Sequence, residues 1–414
     1  MDSAQKPVPY GVLGRTLGHS YTPRIYRMLA DMDYIRFERE PEEVEAFLRG
    51  DAWAGVNVTI PYKRVVVPFL DELTERAQRL GNVNTIVRLP DGRLRGGNTD
   101  YFGFKMLVES TGVELEGTRA LVLGGNGGAG STCMTVLRDL GAEAVAVSRS
   151  GEVTYDDLDR YADAALIVNA TPVGMYPACP AAPVDLARFG HLAAVVDIVY
   201  NPARTAIMMQ AEQLGIPCAG GLLMLVAQAA EAVRAYTGEV IGPERIRAVT
   251  DALDREEENI ALIGMPGSGK TRVGQAIARR LGREHIDLDD AFRERTGSTC
   301  ANFIVGQGED AFRAEETRVL EDVAKRSGLV ISCGGGVVTR AENYPLLHQN
   351  SRIIMLDRPL DELSKKGRPI TARDGVERLA AERMDRYRAW ADEIVASRES
   401  ADATASVIVA GWDA

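Results

Sequence analysis

The chain has 414 residues, of which 45% are hydrophobic and 26% charged, and its formal net charge is −11. That length exceeds one ordinary hydrophobic core, so two or three domains of a soluble globular protein are expected. The acidic balance argues against nucleic acid or anionic membrane as a partner, and any anionic ligand has to be held by local basic groups.

Residues 1–10 hold one lysine and no apolar run, unlike a signal peptide. No stretch approaches the ~20 apolar residues that span a bilayer. Cys133, Cys179, Cys218, Cys300 and Cys333 are scattered, with no Cys-x-x-Cys pair. They read as reduced thiols, without a disulfide framework or a zinc site, in a cytoplasmic protein.

Short β-type runs are expected first at 10–13, 55–59 and 85–88. The second ends in Asn57-Val58-Thr59-Ile60-Pro61-Tyr62-Lys63, a lysine just past a proline turn. Gly81-Asn82-Val83-Asn84-Thr85 and Gly97-Asn98-Thr99-Asp100 follow. Asn, Thr, Gly and Asp are ordinary turn residues. A lysine paired with a carboxylate and ringed by neutral Asn and Thr groups also suits proton transfer on a hydroxylated substrate.

Runs at 120–123, 144–148, 165–169 and 195–198 then alternate with helical patterns. Such alternation reads as βα units and parallel sheets throughout. The first of these runs feeds Gly124-Gly125-Asn126-Gly127-Gly128-Ala129-Gly130, in which Gly125-x-Gly127-x-x-Gly130 matches the dinucleotide fingerprint. The next ends at Ser148-Arg149-Ser150, where an NAD site calls for Asp or Glu on the ribose diol. A basic residue flanked by hydroxyls suits a 2′-phosphate instead, which favours NADP.

Residues 8–250 resemble the shikimate dehydrogenase family. The marks are Gly18-His19-Ser20-x-Thr22-Pro23, Asn57-x-Thr59-x-Pro61-x-Lys63, Val83-Asn84-Thr85, Asn98-Thr99-Asp100 and Asn169-Ala170-Thr171-Pro172-x-Gly174-Met175. Asp197-Ile198-x-Tyr200-Asn201-Pro202 and Gly220-Gly221-Leu222-x-Met224-Leu225-x-x-Gln228-Ala229 complete them in family order. The resemblance implies an α/β substrate-binding domain over 1–105, a Rossmann NADP domain over 106–220, and helices over 221–255 that return to the substrate domain. It makes Lys63 and Asp100 the catalytic pair. Ser20, Thr22, Thr59, Asn84, Thr99 and Gln228 join them around 3-dehydroshikimate. Gly125, Asn126, Gly127, Gly128, Ala129, Ser148, Arg149, Ser150 and Thr171 are expected on NADP(H), Arg149 at its 2′-phosphate. Thr22 stands where most shikimate-specific members carry Ser and is similar to some quinate-using relatives, so a quinate preference is the alternative. Asn82 replaces a usual Ala.

Residues 251–258 form a polar, acidic helix end without Gly or Pro, so the chain looks like two proteins joined near residue 256. Further strands are expected at 260–263, 285–288, 329–332 and 352–356. The first runs into Gly264-Met265-Pro266-Gly267-Ser268-Gly269-Lys270-Thr271, a phosphate-binding P-loop followed by a helical run. Backbone N–H groups of Gly264, Gly267, Ser268 and Gly269 and the helix N-terminus cradle phosphates. Lys270 reaches the β- and γ-phosphates, and the Thr271 hydroxyl ligates Mg²⁺. Asp287-Leu288-Asp289 places two carboxylates on one face; one can serve Mg²⁺ and the other an acceptor hydroxyl. Phe312-Arg313 with Glu316, then Gly334-Gly335-Gly336, Arg368-Pro369 and Arg383 follow.

In that order these marks resemble shikimate kinase over 259–414, which implies an ATP-dependent phosphotransferase on a P-loop fold with a parallel sheet. By that resemblance Asp289, Arg313, Gly334, Gly335, Gly336 and Arg383 hold shikimate, both arginines facing its carboxylate. Asp287 sits by the Mg²⁺ water shell, and Arg368 comes from a lid over the phosphates. The lid, 359–369, is shorter than in many relatives. Catalysis is therefore assigned to Lys63 and Asp100 in one half and to Lys270, Asp289 and Arg368 in the other. The whole reads as a bifunctional enzyme that makes shikimate and then phosphorylates it. A non-catalytic, regulatory half is the competing reading, and oligomeric state stays open.

Overall fold

The computed structural model describes residues 8–18, 21–363 and 373–413. Two compact units divide them. The first runs to Met175 and takes in Ala181–Tyr200 and Ile207–Leu253; the second takes Tyr176–Pro180, Asn201–Ala206 and the chain from Asp254. No helix among the described residues is long and apolar enough to cross a membrane.

The first unit holds two sheets. One is built from β1 (Tyr10–Gly14), β2 (Tyr34–Glu38), β3 (Gly55–Val58), β4 (Glu72–Leu73), β5 (Thr85–Arg88) and β6 (Leu94–Gly97), in the order β2-β1-β3-β5-β6-β4. Parallel pairing was the expectation, and here it fails: β5 runs antiparallel to both β3 and β6. The cause is local. Pro90-Asp91-Gly92 makes a tight turn, with Gly92 at φ 86° and Leu89 N donating to Arg93 O at 2.8 Å. So short a connection can only return the strand antiparallel, because a parallel partner needs a crossover of a dozen residues or more. The consequence is functional. β1, β3 and β6 end at the edge where β5 begins, since Leu13 pairs with Val58, Asn57 with Thr85 and Thr85 with Gly97.

The other sheet is all parallel: β7 (Arg119–Leu123), β8 (Glu143–Val147), β9 (Leu166–Asn169), β10 (Ala194–Asp197) and β11 (Cys218–Gly220), in the order β11-β10-β9-β7-β8. The chain leaves β7 towards β8 and comes back to β9 on its other side, which opens a crevice at the glycine-rich turn after β7.

Helices Leu222–Thr237 and Pro243–Glu257 share a core with helix Thr22–Ala30, where Ile25, Leu29, Val226, Val233, Ile246 and Leu253 are buried. Each such side chain contributes about 1.5–3 kcal/mol on burial. Helix Asp100–Glu109 crosses the first of these helices at Gly103, where a Cβ would lie 2.6 Å from Met224 O and 3.0 Å from Gln228 Cβ. The missing side chain is what lets Thr99 and Gln228 approach.

The second unit holds β12 (Asn259–Ile263), β13 (His285–Asp287), β14 (Val330–Ser332), β15 (Ser351–Asp357) and β16 (Glu393–Ala396), all parallel in the order β13-β14-β12-β15-β16. All of β12 is buried: Ala261 and Ile263 face one apolar cluster, Ile260 and Leu262 the other. That alternation is the two-residue period of a strand covered on both faces. The order reverses beside β12, so the loop that follows it opens at the switch point.

Candidate active sites

In the first unit, the edge shared by β3, β5 and β6 gathers most of the expected substrate residues. Lys63 Nζ lies 2.6 Å from Asp100 Oδ2. Asn84 Nδ2 donates to Asp100 Oδ1 at 2.8 Å, and Asn84 Oδ1 accepts from Thr99 N at 2.8 Å. Thr99 Oγ1 donates to Gln228 Oε1 at 3.2 Å, which ties in helix Leu222–Thr237. A flexible cation held on a carboxylate, with amides closing the other sides, has the chemistry to serve as a proton donor. Thr59 follows β3 and its N–H donates to Leu13 O at 3.0 Å at this edge, while Thr22 opens helix Thr22–Ala30. No contact above joins Thr59 to the Lys63–Asp100 network. Ser20 lies outside the described residues.

The expected cofactor residues line the carboxyl edge of the parallel sheet. Gly125, Asn126 and Gly127 form the turn after β7, and Gly128 and Ala129 open helix Gly128–Asp139. Asn126 Nδ2 donates to Ser148 Oγ at 3.0 Å, which joins this turn to the segment after β8. Arg149 and Ser150 are exposed beyond it, with the guanidinium near enough to Tyr155 to oppose the rise that burial gives that phenol. Thr171 follows β9 and binds Asn169 Oδ1 through its amide at 3.1 Å and its hydroxyl at 2.6 Å. One free guanidinium between two hydroxyls fits a phosphate monoester.

In the second unit a single cavity of about 920 Å³ is lined by Gly267 to Thr271, Asp287, Asp289, Arg313, Gly334 to Gly336 and Arg383. Gly264 stands behind it: Lys270 Nζ donates to Gly264 O at 2.9 Å and to Met265 O at 3.0 Å. Arg368 lies outside the described residues. Gly269, at φ 98°, turns the loop into helix Lys270–Leu281. Thr271 Oγ1 donates to Asp287 Oδ2 at 2.7 Å, and Asp287 Oδ1 accepts from Asp289 N at 2.9 Å. Two hard oxygen ligands beside a P-loop fit Mg²⁺. Among the described residues, Ser268 Oγ and Arg383 Nε are buried here without a hydrogen-bond partner.

Beyond the Asp pair the cavity turns cationic. Arg313 is 7% exposed, stacks 4.9 Å from the Phe312 ring centroid and donates to Glu316 Oε2 at 2.6 Å. Arg383 Nη1 donates to Gly335 O at 3.1 Å, and the Tyr387 hydroxyl donates to the same carbonyl. Burial, and next the Asp287 carboxylate, raise Asp289 above the ordinary carboxylate range against the pull of Lys270. Burial likewise raises Glu316 against its bond to Arg313.

Similarity to known proteins follows the same division. A family model for the shikimate dehydrogenase substrate binding domain matches residues 12–86. A shikimate dehydrogenase (NADP(+)) of Geobacillus kaustophilus is 36% identical over 273 residues, 59% of this chain and 99% of the relative. The chain belongs to the shikimate dehydrogenase family. A shikimate kinase family model matches residues 266–411, so a shikimate kinase domain follows in the same chain. Among solved structures, a shikimate 5-dehydrogenase of Thermus thermophilus in complex with NADP(H) and shikimate aligns with TM-score 0.54 and 32% identity, over 59% of this chain and 99% of that one. A quinate dehydrogenase of Corynebacterium glutamicum in complex with NAD aligns with TM-score 0.54 and 26% identity, over 59% and 99%.

Some site residues escaped the sequence reading. In the shikimate kinase domain Glu316 was quoted beside Arg313 without a role; it is that guanidinium's partner, three residues on along helix Glu309–Ala324. Cys300 lines the same cavity beside Asp289, and burial first, then that carboxylate, push its thiol up to about 12. Arg358, Arg398 and Thr404 line it too, from segments distant in sequence that no local pattern connects. In the shikimate dehydrogenase part, Asn57 and Thr85 were quoted as family marks without a role, yet both touch Asn84.

Proposed function

We propose that this enzyme reduces 3-dehydroshikimate to shikimate with NADPH in its first unit and phosphorylates shikimate with ATP and Mg²⁺ in its second. The domains this implies are 1–105 for the substrate, 106–220 for NADP(H), 221–255 returning to the first, and 256–414 for phosphoryl transfer. The free cysteines suit a reducing, cytoplasmic setting.

The Lys63–Asp100 contact carries the first half of the reading. NADPH, when bound, supplies a hydride to the substrate ketone. Lys63 then gives its proton to the developing alkoxide and is left neutral, poised to recover a proton while Asp100 holds its position. Asn84, Thr99 and Gln228 position ring hydroxyls around that carbonyl, and proton and hydride come from opposite sides of it. Arg149, flanked by Ser148 and Ser150, supports NADP(H) over NAD(H).

The cavity that joins the P-loop to Arg313 and Arg383 carries the second half. ATP, when bound, supplies the γ-phosphoryl group. Arg313 and Arg383 hold the shikimate carboxylate, and Asp289 accepts a hydrogen bond from the attacking hydroxyl and takes its proton. Lys270 leaves the Gly264 and Met265 carbonyls for the phosphates, while Thr271 and Asp287 face the cation.

The test is one reaction mixture. Dehydroshikimate, NADPH, ATP and Mg²⁺ are expected to yield shikimate 3-phosphate, with one NADPH and one ATP consumed per product. Consumption of either nucleotide alone would overturn the bifunctional reading. Thr22 and the likeness to a quinate dehydrogenase favour a second reading, in which the first unit prefers quinate. Oxidation rates of quinate and shikimate with NADP⁺ separate the two.

A further inference from the structure

Behind the Lys63–Asp100 pair lies a buried polar cluster that the reaction as described does not use. Asn57, on β3, is 7% exposed, and its Oδ1 accepts from three phenols: Tyr26 at 2.5 Å, Tyr34 at 2.7 Å and Tyr236 at 2.9 Å. They come from helix Thr22–Ala30, β2 and helix Leu222–Thr237. An amide oxygen has two lone pairs, so three donors exceed what satisfying it requires. They over-determine which way the amide faces.

Its other end points at the site. Asn57 Nδ2 lies 3.1 Å from Asn84 O and 3.1 Å from Thr85 Oγ1. A carbonyl only accepts, so the donor assignment of Nδ2 is forced. Thr85, 2% exposed, therefore accepts from Asn57, and the nearer acceptor for its own proton is Asn84 Oδ1 at 3.0 Å, ahead of Thr99 Oγ1 at 3.3 Å. With Thr99 N donating to the same oxygen, Asn84 must present Nδ2 to Asp100. Every bond in this series runs one way, from the tyrosines to the carboxylate that holds Lys63.

We propose that Asn57 and Thr85 are positioning residues for the dehydrogenase step: together they hold Asn84 with its amide N–H on Asp100, and so fix the aim of the Lys63–Asp100 pair. The proposal rests on the reading that this pair moves the proton. Neither residue is among those assigned to the substrate above; both act through Asn84. A buried one-way network of this kind resists reorientation because any flipped member leaves two groups unpaired in low dielectric.

Thr85→Val in the full chain keeps shape and removes the relay proton. The expected result is a kcat for NADP⁺-dependent shikimate oxidation lowered about 10- to 100-fold, with KM for NADP⁺ within about twofold and kinase activity unchanged. Thr85→Ser is expected to restore most of the rate. In an Asn84→Ala background, Thr85→Val is expected to cost less than about twofold more, because residues acting through one group are not additive. A wild-type kcat in Thr85→Val, an equal loss in Thr85→Ser, or multiplying effects of Thr85→Val and Asn84→Ala would each overturn the relay, provided Lys63→Ala loses about 10²-fold or more in kcat. A kcat near the parental value in Lys63→Ala overturns the proton-transfer reading itself, and the relay with it. Should Thr85→Val not fold, Asn57→Asp serves: it keeps the acceptor for the three phenols, loses the donors to Asn84 and Thr85, and is expected to show the same kcat loss. A wild-type kcat there is equally fatal.

Discussion

Gly336→Ala is the sharpest probe of the kinase cavity, because it adds one methyl group against one guanidinium. The glycine sits at φ −100°, ψ 0°, a backbone that alanine adopts, so the substitution tests space and not strain. Its Cβ would fall 2.0 Å from Arg313 Nη1 and 2.2 Å from both Cζ and Nη2. Non-bonded heavy atoms sit about 3.5–4.0 Å apart, so the guanidinium has to withdraw by roughly 1.5 Å. It cannot do so freely. Glu316 grips it at 2.6 Å, Glu309 stands at 3.6 Å, and the Phe312 ring lies 4.9 Å beneath it. A lost charge-assisted bond to a substrate carboxylate costs about 1.5–3 kcal/mol, which is about 10- to 150-fold in KM. The assay is initial-rate phosphorylation with shikimate varied at saturating MgATP. KM for shikimate is expected to rise by that factor, with KM for ATP and the dehydrogenase rate unmoved. A KM for shikimate within twofold of the parent would refute the placement of Arg313 on the substrate carboxylate.

Three further outcomes follow from the two sites. Lys63→Ala is expected to lower kcat for shikimate oxidation about 10²- to 10⁴-fold while phosphorylation continues, read by running the two assays on one preparation. Arg149→Ala is expected to raise KM for NADPH about tenfold or more and to leave KM for NADH nearly unchanged, since only the former carries the 2′-phosphate. Asp289 must be ionised to take the hydroxyl proton, and burial with Asp287 raises it. The acid limb of kcat/KM for phosphorylation is therefore expected above the ordinary Asp range near ~4, with activity falling as pH drops through it. Asp287→Asn removes the like charge and is expected to move that limb to lower pH, whatever it does to the plateau rate. A limb that stays put would show that the group titrating there is not Asp289.

Much of both sites was legible along the chain. Every strand expected from the sequence is present, because alternating or continuous apolar runs bounded by glycine and proline report burial directly. The P-loop was legible for a stronger reason. Its chemistry lies in consecutive backbone groups, so the local sequence carries the whole phosphate cradle. Edge strands such as β2 and β16 escaped, being only partly buried and short on apolar pattern.

What the sequence by itself determined, then, was composition of the sites: a lysine, an aspartate and a ring of Ser, Asn, Thr and Gln in one half, and a P-loop, an Asp pair and three arginines in the other. Which of these groups touch was decided by the fold. Lys63 and Asp100 stand 37 residues apart, and they meet because β5 runs antiparallel to both β3 and β6, which brings the ends of β3 and β6 to one edge. Gln228 reaches Thr99 across 129 residues only because Gly103 lets two helices close on each other. The direction in which Asn57 points is set by three tyrosines from three elements, and no local pattern encodes it. Local sequence specifies residue type and backbone preference. Contact order, amide orientation and the desolvation that raises Asp289 exist only once distant segments pack.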